Sequence, residues 1–319
     1  MSKKSKFAKG VLLGVATAGI ITAINKFIFI KSTAKNLLKK ERSKIYSWRF
    51  GDIFYTKVGH GKPLLLIHDL KTASSSYEWN KVIQYLSKTH TVYAVDLLGC
   101  GRSHKPNLTY TNFLYVQLLT DFIKSVIGHR ADVIATGSSC SFVVTACNNN
   151  SELFDKIVLI NPDTVLRCGQ TPNKYGKGYK FLIDLPIIGT LIYNIANSRR
   201  SITDKFLAVN YSDPCDIEPE TISIYHESAH LGDSSAKALY ASIKSNYTCL
   251  SINHSLKNIN NSIFIIGGER EKQIKETIED YCSMNPAIEY EIINETAHLP
   301  QMERPEATAS IISDYLDVQ

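Results

Sequence analysis

The cysteines of this chain do not have the spacing of a common metal site or disulfide framework. The sequence has seven cysteines, an odd number scattered between residues 100 and 282, and no C-x-x-C pair. Nor do cysteine and histidine cluster as they do in zinc sites. We therefore predict no metal and no cofactor, and interpret most of the cysteines as small buried apolar side chains.

Excess positive charge is absent outside the N-terminal segment. Residues 1–45 carry 11 Lys and Arg against one Glu, a net charge of +10 within a chain whose total is +6. The rest of the chain therefore has a net charge of −4. A nucleic-acid-binding domain needs a basic surface on its body, so this charge distribution excludes nucleic acid as the expected partner.

One long apolar run is present, near the N-terminus. Residues 10–30 are almost free of charge and have lysines on both sides, with Lys26 close to one end. About 21 helical residues suffice to cross a bilayer if that lysine reaches the interface. We favour a retained membrane anchor over a cleaved signal, with Ala16 to Ala18 as its cleavage site, and over an amphipathic surface helix.

The flanking residues complete this interpretation of residues 1–45 as a membrane anchor and basic linker. Lys and Arg are more frequent after the apolar run than before it, which favours a body facing the cytoplasm. The unpaired cysteines point the same way. Residues 31–44 form a basic stretch that anionic lipid head groups would attract.

Beyond residue 45, apolar strand patterns alternate with helical patterns. Gly51 and Asp52 separate two alternating runs, as in a β-hairpin. Continuous apolar runs then predict buried parallel strands at 64–67, 91–95, 133–135, 156–160, 262–266 and 288–293. We predict an eight-stranded, mostly parallel sheet with helices on both faces, built from residues 46–162 and 260–319. Residues 163–259 have mainly helical patterns and predict a lid inserted after the sixth strand.

The stretch from Ala131 to Cys147 has the layout of a nucleophile elbow. An apolar strand is followed by the turn Gly137-Ser-Ser-Cys-Ser141 and then by a helical run. In the pattern G-x-S-x-G the central serine is lifted clear of the backbone. The turn ends in serine where the pattern has glycine. On this spacing, Ser139 is the candidate nucleophile.

A serine nucleophile needs a base and a carboxylate, which follow it in the order acid and then histidine in this layout. His298, directly after the last predicted strand, is the one histidine in the required position. Glu271, after the seventh strand, is the preferred acid. Glu269 and Asp163 remain alternatives.

Together with the segments 64–70, 76–79, 95–103 and 297–306, these residues resemble the α/β-hydrolase superfamily. The similarity is greatest to its lid-bearing branch, which includes epoxide hydrolases, haloalkane dehalogenases and pheophytinase-like serine hydrolases. It covers residues 46–319 and implies an α/β-hydrolase fold.

The resemblance implies roles for single residues. Ser139 matches the nucleophile, His298 the base and Glu271 the acid. The backbone N–H groups of Leu70 and Cys140 match the oxyanion hole, which holds the charge of a tetrahedral intermediate. Epoxide hydrolases and dehalogenases have aspartate at the nucleophile position, so Ser139 argues against their chemistry.

Three residues depart from the family pattern. Asp69 replaces the glycine that follows the structural histidine, His68, and brings a carboxylate beside a site that must accumulate negative charge. Ser141 replaces the second elbow glycine, and Glu271 replaces aspartate.

The sequence thus supports two functional hypotheses. The first is a membrane-associated serine hydrolase, a carboxylesterase that acts on a lipophilic acyl ester through an acyl-enzyme. The second is a weak or inactive protein of the same fold that binds a hydrophobic ligand or partner. Hydrolysis of a C–C bond by the same triad is a third possibility.

Overall fold

A computed structural model of the chain describes residues 3–38 and 43–317, with side chains described from residue 15 onward. Helix α1 (Lys3–Thr33) comes first. Its stretch Val15–Thr33 is long and apolar enough to cross a membrane, and only 11% of it is buried against the rest of the protein. A membrane anchor and a signal sequence both have these properties.

Eight strands form one sheet in the described part of the chain, in the spatial order β1-β2-β4-β3-β5-β6-β7-β8. The first two strands are antiparallel and joined by a turn at Arg49 and Phe50, whereas Gly51 and Asp52, predicted as the turn, begin β2; β3 to β8 run parallel. The strands are β1 (Ser43–Trp48), β2 (Gly51–Val58), β3 (Lys62–Ile67), β4 (His90–Val95), β5 (Ala131–Thr136), β6 (Phe154–Ile160), β7 (Ile263–Gly268) and β8 (Glu289–Ile293). This confirms the predicted sheet.

Both faces of the sheet are covered because alternate residues of the central strands point to opposite sides. In β3, Leu65 and Ile67 join one apolar cluster, whereas Leu64 and Leu66 join the other. The helices after α1 are α2 (Ile83–Leu86), α3 (Asn112–Phe122), α4 (Cys140–Asn149), α5 (Val165–Cys168), α6 (Lys174–Asp184), α7 (Ile188–Ala196), α8 (Arg199–Lys205), α9 (Pro219–His230), α10 (Lys237–Lys244), α11 (Asn253–Asn258), α12 (Ile274–Met284), α13 (Pro300–Glu303) and α14 (Pro305–Asp317).

Helices α5 to α11 lie between β6 and β7 in the chain and form the helical insertion. Short turns of other helix types complete the chain at Ser76–Trp79, Ile123–Ile127, Gly137–Ser139, Ser151–Leu153, Phe206–Asn210, Pro214–Asp216 and Asp233–Ala236. The insertion has apolar clusters of its own, one of which includes Leu299 and Met302 from the loop region after β8. The insertion therefore packs over the edge of the sheet where the parallel strands end.

The last turns of α1 pack against the helical insertion. The amide of Asn194 donates to the Asn25 side chain, and Asn25 in turn donates to the carbonyl of Ile187. Phe29 is buried and stacks on Tyr193. One face of the C-terminal end of α1 is thus docked on the insertion, whereas Phe27 and Ile30 on its other face stay exposed.

Candidate active site

Polar side chains converge where the parallel strands end. Asp69 follows β3, Asp163 follows β6, Glu271 follows β7 and His298 follows β8. The elbow after β5 lies between them in the sheet order. Ligands of open α/β sheets bind at this carboxyl edge, so the fold brings these residues to one site.

Gly137 is the apex of the elbow. Strand β5 ends at Thr136, and Gly137 directly after it has a φ of +54°. The backbone then turns into α4, with Ser139 already in helical conformation at φ −68° and ψ −20°. A sharp left-handed residue between strand and helix is where an elbow holds its nucleophile. Here that position has no side chain.

Ser139 is therefore placed differently from the sequence prediction. Its hydroxyl is fully buried and donates to the carbonyl of His68 at 2.7 Å, with no hydrogen bond to His298. Cys140, predicted to supply an oxyanion-hole N–H, donates that N–H to the carbonyl of Gly137 instead. The tight turn begins immediately after Thr136, two residues before the position that these predictions assumed, and the roles of Ser139 and Cys140 stay predictions.

The space of the missing side chain is occupied by Asp69. A Cβ atom on Gly137 would lie 2.5 Å from both Cγ and Oδ1 of Asp69. The N–H of Ser138, the residue after the apex, donates to Asp69 Oδ1 at 2.9 Å. Asp69 Oδ2 faces His298 Nε2 at 3.2 Å. The carboxylate of Asp69, from the loop after β3, thus stands where an elbow side chain would stand.

The structure brings His298 and Glu271 together. Nδ1 of His298 lies 3.0 Å from Oε2 of Glu271. The alternative acids are engaged elsewhere: Asp163 accepts from the Ser138 hydroxyl, and Glu269 accepts from the N–H of Glu295. Glu271 is therefore the carboxylate that orients the imidazole.

His298 lies between two carboxylates, which sets its protonation. Burial opposes its charge, but the hydrogen bonds and charges of Asp69 and Glu271 outweigh burial and raise the pKa of His298. Burial likewise opposes the charge of Asp69, but Lys71, His298 and the Ser138 N–H outweigh it and lower the pKa of Asp69. At neutral pH the site therefore holds an imidazolium beside the ionised carboxylate of Asp69.

Two neighbours hold the loop that carries Asp69. His68 Nδ1 donates to the carbonyl of Asp69, while its Nε2 accepts from the N–H of Leu97. Burial lowers the pKa of His68, which keeps this ring neutral. The N–H of Asp69 donates to Glu78, and burial, followed by the charge of Asp69, raises the pKa of Glu78 to about 7. Leu70 is buried next to Asp69, and its part in an oxyanion hole stays a prediction.

A cavity of about 420 Å³ opens above these residues, beneath the helical insertion. Tyr225 of α9 closes one side, where its hydroxyl donates to Glu78. The size is that of a small-molecule site. Asp69, Glu271 and His298 all line the cavity, so a bound molecule would meet them directly.

The sequence contained a signal for this arrangement. An elbow has a small residue two positions before its apex and another two positions after it. Ala135-Thr-Gly-Ser-Ser139 fits this pattern with Gly137 at the apex, and Gly137-Ser-Ser-Cys-Ser141 fits it with Ser139 at the apex. The end of the apolar strand distinguishes the two alignments, because the apex follows the strand directly. With Gly137 at the apex, the departure of Asp69 from the family pattern is explained, because its side chain fills the space beside Gly137.

Comparison with known proteins gives a family match. The model of the "Alpha/beta hydrolase family" matches residues 64–311. A curated relative is the 2-hydroxy-6-oxo-6-(2'-aminophenyl)hexa-2,4-dienoic acid hydrolase of Metapseudomonas resinovorans, 34% identical over 115 residues, which are 33% of this chain and 37% of that protein. The soluble epoxide hydrolase of Corynebacterium sp. (strain C12) is 31% identical over 111 residues, 34% of this chain and 37% of that protein. The chain thus matches little more than a third of the length of these relatives.

Solved structures are similar over most of the chain. The serine hydrolase of carbazole degradation, the CarC enzyme, superposes with a TM-score of 0.71 and 18% identity, covering 87% of this chain and 99% of that one. At this identity the similarity concerns the fold. The fold predicted from the sequence is therefore confirmed, including its eight-stranded, mostly parallel sheet.

Proposed function

Because the chain belongs to the alpha/beta hydrolase family, we propose that it is a hydrolase in which the Asp69 carboxylate takes the place of the elbow nucleophile. The observation that carries this proposal is the position of that carboxylate. It fills the space beside Gly137, accepts the N–H of Ser138 and faces His298. Family membership supports hydrolysis, and the geometry points to carboxylate rather than serine chemistry.

A carboxylate nucleophile suits an electrophilic carbon such as that of an epoxide. Oδ2 of Asp69 attacks one ring carbon, the C–O bond of the ring breaks, and an ester forms on Asp69. The leaving oxygen stays on the substrate as an alkoxide and takes a proton from the His298 imidazolium. The raised pKa of His298 ensures that this proton is present at neutral pH.

The second step hydrolyses the ester. Once Asp69 is esterified it carries no charge, so one of the two groups that raise the pKa of His298 is lost. The neutral imidazole, oriented by Glu271, then removes a proton from water. The hydroxide attacks the carbonyl carbon of Asp69, and the Ser138 N–H holds the resulting oxyanion. On collapse the departing alkoxide takes the hydroxyl proton of the intermediate and leaves as the diol, the Asp69 carboxylate returns, and the other proton of the water stays on His298.

The matched soluble epoxide hydrolase makes epoxides the first substrate class to test. This reverses the sequence-based exclusion of epoxide chemistry, which rested on Ser139 as the nucleophile. The predicted carboxylesterase activity would need Ser139 to reach His298, whereas its hydroxyl donates to a backbone carbonyl.

The test combines a panel of epoxides with isotope labelling. After several turnovers in H₂¹⁸O, we expect ¹⁸O in the peptide that contains Asp69, because water attacks the carboxyl carbon. Asp69→Asn should lose at least about 10³-fold in kcat/KM, as expected when a nucleophile is removed. His298→Gln should lose turnover as well, because His298 supplies the proton in the first step and removes a proton from water in the second.

Ser139→Ala is the matched control, because Ser139 lies beside the site without facing the cavity. It should keep its turnover and remain unlabelled by a fluorophosphonate. Turnover by Asp69→Asn, or labelling of Ser139 in the wild type, would contradict the proposal.

A second candidate is a protein that binds a ligand without turning it over. The imidazolium held between Asp69 and Glu271 favours it, because a protonated His298 is not a general base. This candidate predicts ligand-dependent thermal stabilisation without product from any epoxide or ester. A ligand that stabilises both the wild type and Asp69→Ala would support it.

We also propose that the protein is attached to a membrane through α1, with its body on the cytoplasmic side. Val15–Thr33 has the length and composition of a span, and lysines flank it. Since the turns from Asn25 onward dock on the helical insertion, the cavity would lie close to the bilayer surface. Cell fractionation of the full chain, with and without residues 1–24, tests this attachment.

A further inference from the structure

The helical-insertion side of the cavity carries three cationic side chains: Arg167, Lys205 and Lys244. They come from α5, α8 and α10, which are distant in sequence, so the fold of the insertion assembles them. Lys71, which follows β3 in the core, lines the same cavity.

These three cations have no carboxylate partner among residues 3–38 and 43–317. Arg167 donates to the side-chain oxygens of Gln170 and Asn246, and Lys205 makes a long contact to the carbonyl of Ala196. Lys244 lies over the ring of Tyr240. Their positive charges are therefore not neutralised within the described protein.

The cations also act on one another. After burial, the charges of Lys244 and Lys71 lower the pKa of Lys205, and those of Lys71 and Arg167 lower the pKa of Lys244. Lys205 and Lys244 therefore each lie within the field of two other cations. Holding like charges together costs free energy that a bound anion would recover.

The carboxylates of the cavity make their hydrogen bonds to groups other than these three cations, and the charge of Asp163 acts on Lys71. Asp69 and Glu271 hold His298, with Lys71 3.5 Å from Asp69. Asp163 accepts from Ser138, and Glu78 accepts from Tyr225. The negative charge therefore lies at the floor of the cavity and the unpaired positive charge at its insertion side.

Apolar side chains line the cavity beside the charged ones. Ile202, Phe206, Val209, Ile243 and Leu299 line the same cavity. A molecule that fits has an anionic head for the cations and an apolar portion that crosses to Asp69.

We propose that the cavity binds an amphiphile with one anionic head group, a carboxylate or a phosphate, held by Arg167, Lys205 and Lys244. This names the substrate class of the proposed function and rests on the cavity being its substrate site. Held by its head, the molecule would place an apolar carbon chain along the cavity and its reacting carbon at Asp69. It differs from the neutral lipophilic ester that the sequence suggested.

Calorimetric titration of unreactive ligands tests the head group separately from turnover. Octanoate and octyl phosphate carry the proposed head groups, and octanol is the neutral analogue of the same length. We expect both anions to bind the wild type at least about 10-fold more tightly than octanol, since a charge-assisted contact contributes roughly that much. The tighter of the two anions identifies the head group as carboxylate or phosphate.

The variant Lys205→Gln/Lys244→Gln should weaken both anions by about 10-fold and leave octanol unchanged. Lys177→Gln is the matched control, an exposed lysine of the insertion that does not line the cavity. Inorganic phosphate alone tests whether the head group suffices; binding as tight as that of octyl phosphate would overturn the amphiphile. Equal affinity for octanol and the anions, or equal loss in Lys177→Gln, would overturn the charge recognition.

These ligands have no epoxide, so their binding does not depend on Asp69 as a nucleophile. Tight anion binding without epoxide turnover would leave the head-group site standing and reject the catalytic step. Epoxide turnover without a preference for anions would support the catalytic step and reject the head-group site.

Discussion

The two sides of the cavity balance their charges differently. On the core side, Asp69, His298 and Glu271 form a closed set in which each charge has an opposite partner within about 3 Å. On the insertion side, Lys205 and Lys244 have no such partner among the described residues. Side chains that are paired with one another keep one geometry, whereas unpaired cations can be neutralised by a bound ligand. The core side is therefore suited to chemistry and the insertion side to recognition.

The largest expected effect on the core side comes from restoring the family pattern at Asp69 and Gly137. In Asp69→Gly/Gly137→Ser, the elbow regains a hydroxyl at its apex and the oxyanion loop regains its glycine. His298 would then face that hydroxyl instead of a carboxylate. We expect labelling by a fluorophosphonate to change from undetectable in the wild type to stoichiometric, read by intact-protein mass spectrometry.

Gly137→Ser alone is the matched control. Its Cβ would lie 2.5 Å from Asp69 Cγ, and its φ of +54° is unfavourable for a side chain. We expect no labelling and a loss of about 1–3 kcal/mol in the free energy of unfolding. Labelling of the single variant as complete as that of the double would show that Asp69 does not occupy the apex.

The pKa of His298 offers a second test of its contacts with Asp69 and Glu271. In the wild type we expect its imidazole to titrate well above its usual value, near pH 10, because two carboxylates favour the charged form. Asp69→Asn removes one of them and should lower the pKa markedly, as measured by NMR of the ring nitrogens. Glu269→Gln, which removes a carboxylate not bonded to His298, should leave it unchanged.

The same shift has a defined effect on stability. The pKa of His298 is raised on folding, so its contribution is complete below the unfolded value of about 6.5 and is lost as the pH rises through the folded value. The pKa of Asp69 is lowered, so its contribution is lost as the pH falls below its unfolded range. The stability difference between the wild type and Asp69→Asn should therefore be greatest near neutral pH and decrease towards both extremes. A difference that is constant with pH would contradict the ion pair.

The insertion has a fully buried carboxylate, but it does not face the cations of the cavity. Glu227 of α9 instead accepts the backbone N–H groups of Leu37 and Leu38, which follow α1. Glu227→Gln should cost about 1–3 kcal/mol in urea unfolding, because a charged acceptor of two N–H groups is lost. The exposed Glu220→Gln on the same helix should be neutral. A neutral Glu227→Gln would mean that the segment after α1 is not held there.

The site shows which features the sequence could predict. His298 and Glu271 could be singled out because each follows a clear apolar strand; the structure brings them into contact, and their catalytic roles stay predictions. The sequence prediction set the apex of the elbow at Ser139, whereas the sharp turn lies at Gly137, because three serines near one glycine allow two alignments of the same pattern. The positions of Asp69 and of the cations of the insertion could not be predicted, because they depend on distances between side chains that are far apart in the sequence.

The smallest expected effect lies where the two sides of the cavity meet. The Tyr225 hydroxyl of the insertion donates to Glu78 of the core at 3.2 Å. Tyr225→Phe should cost about 1 kcal/mol in the free energy of unfolding. Since Glu78 has a pKa of about 7, it accepts as a carboxylate above that pH, where hydrogen bonds to charged groups are stronger. The loss should therefore be larger at pH 8 than at pH 6, with the exposed Tyr175→Phe as the control that changes at neither pH. An equal loss at both values would mean that Glu78 does not titrate in this range, and that the two sides are joined by packing rather than by charge.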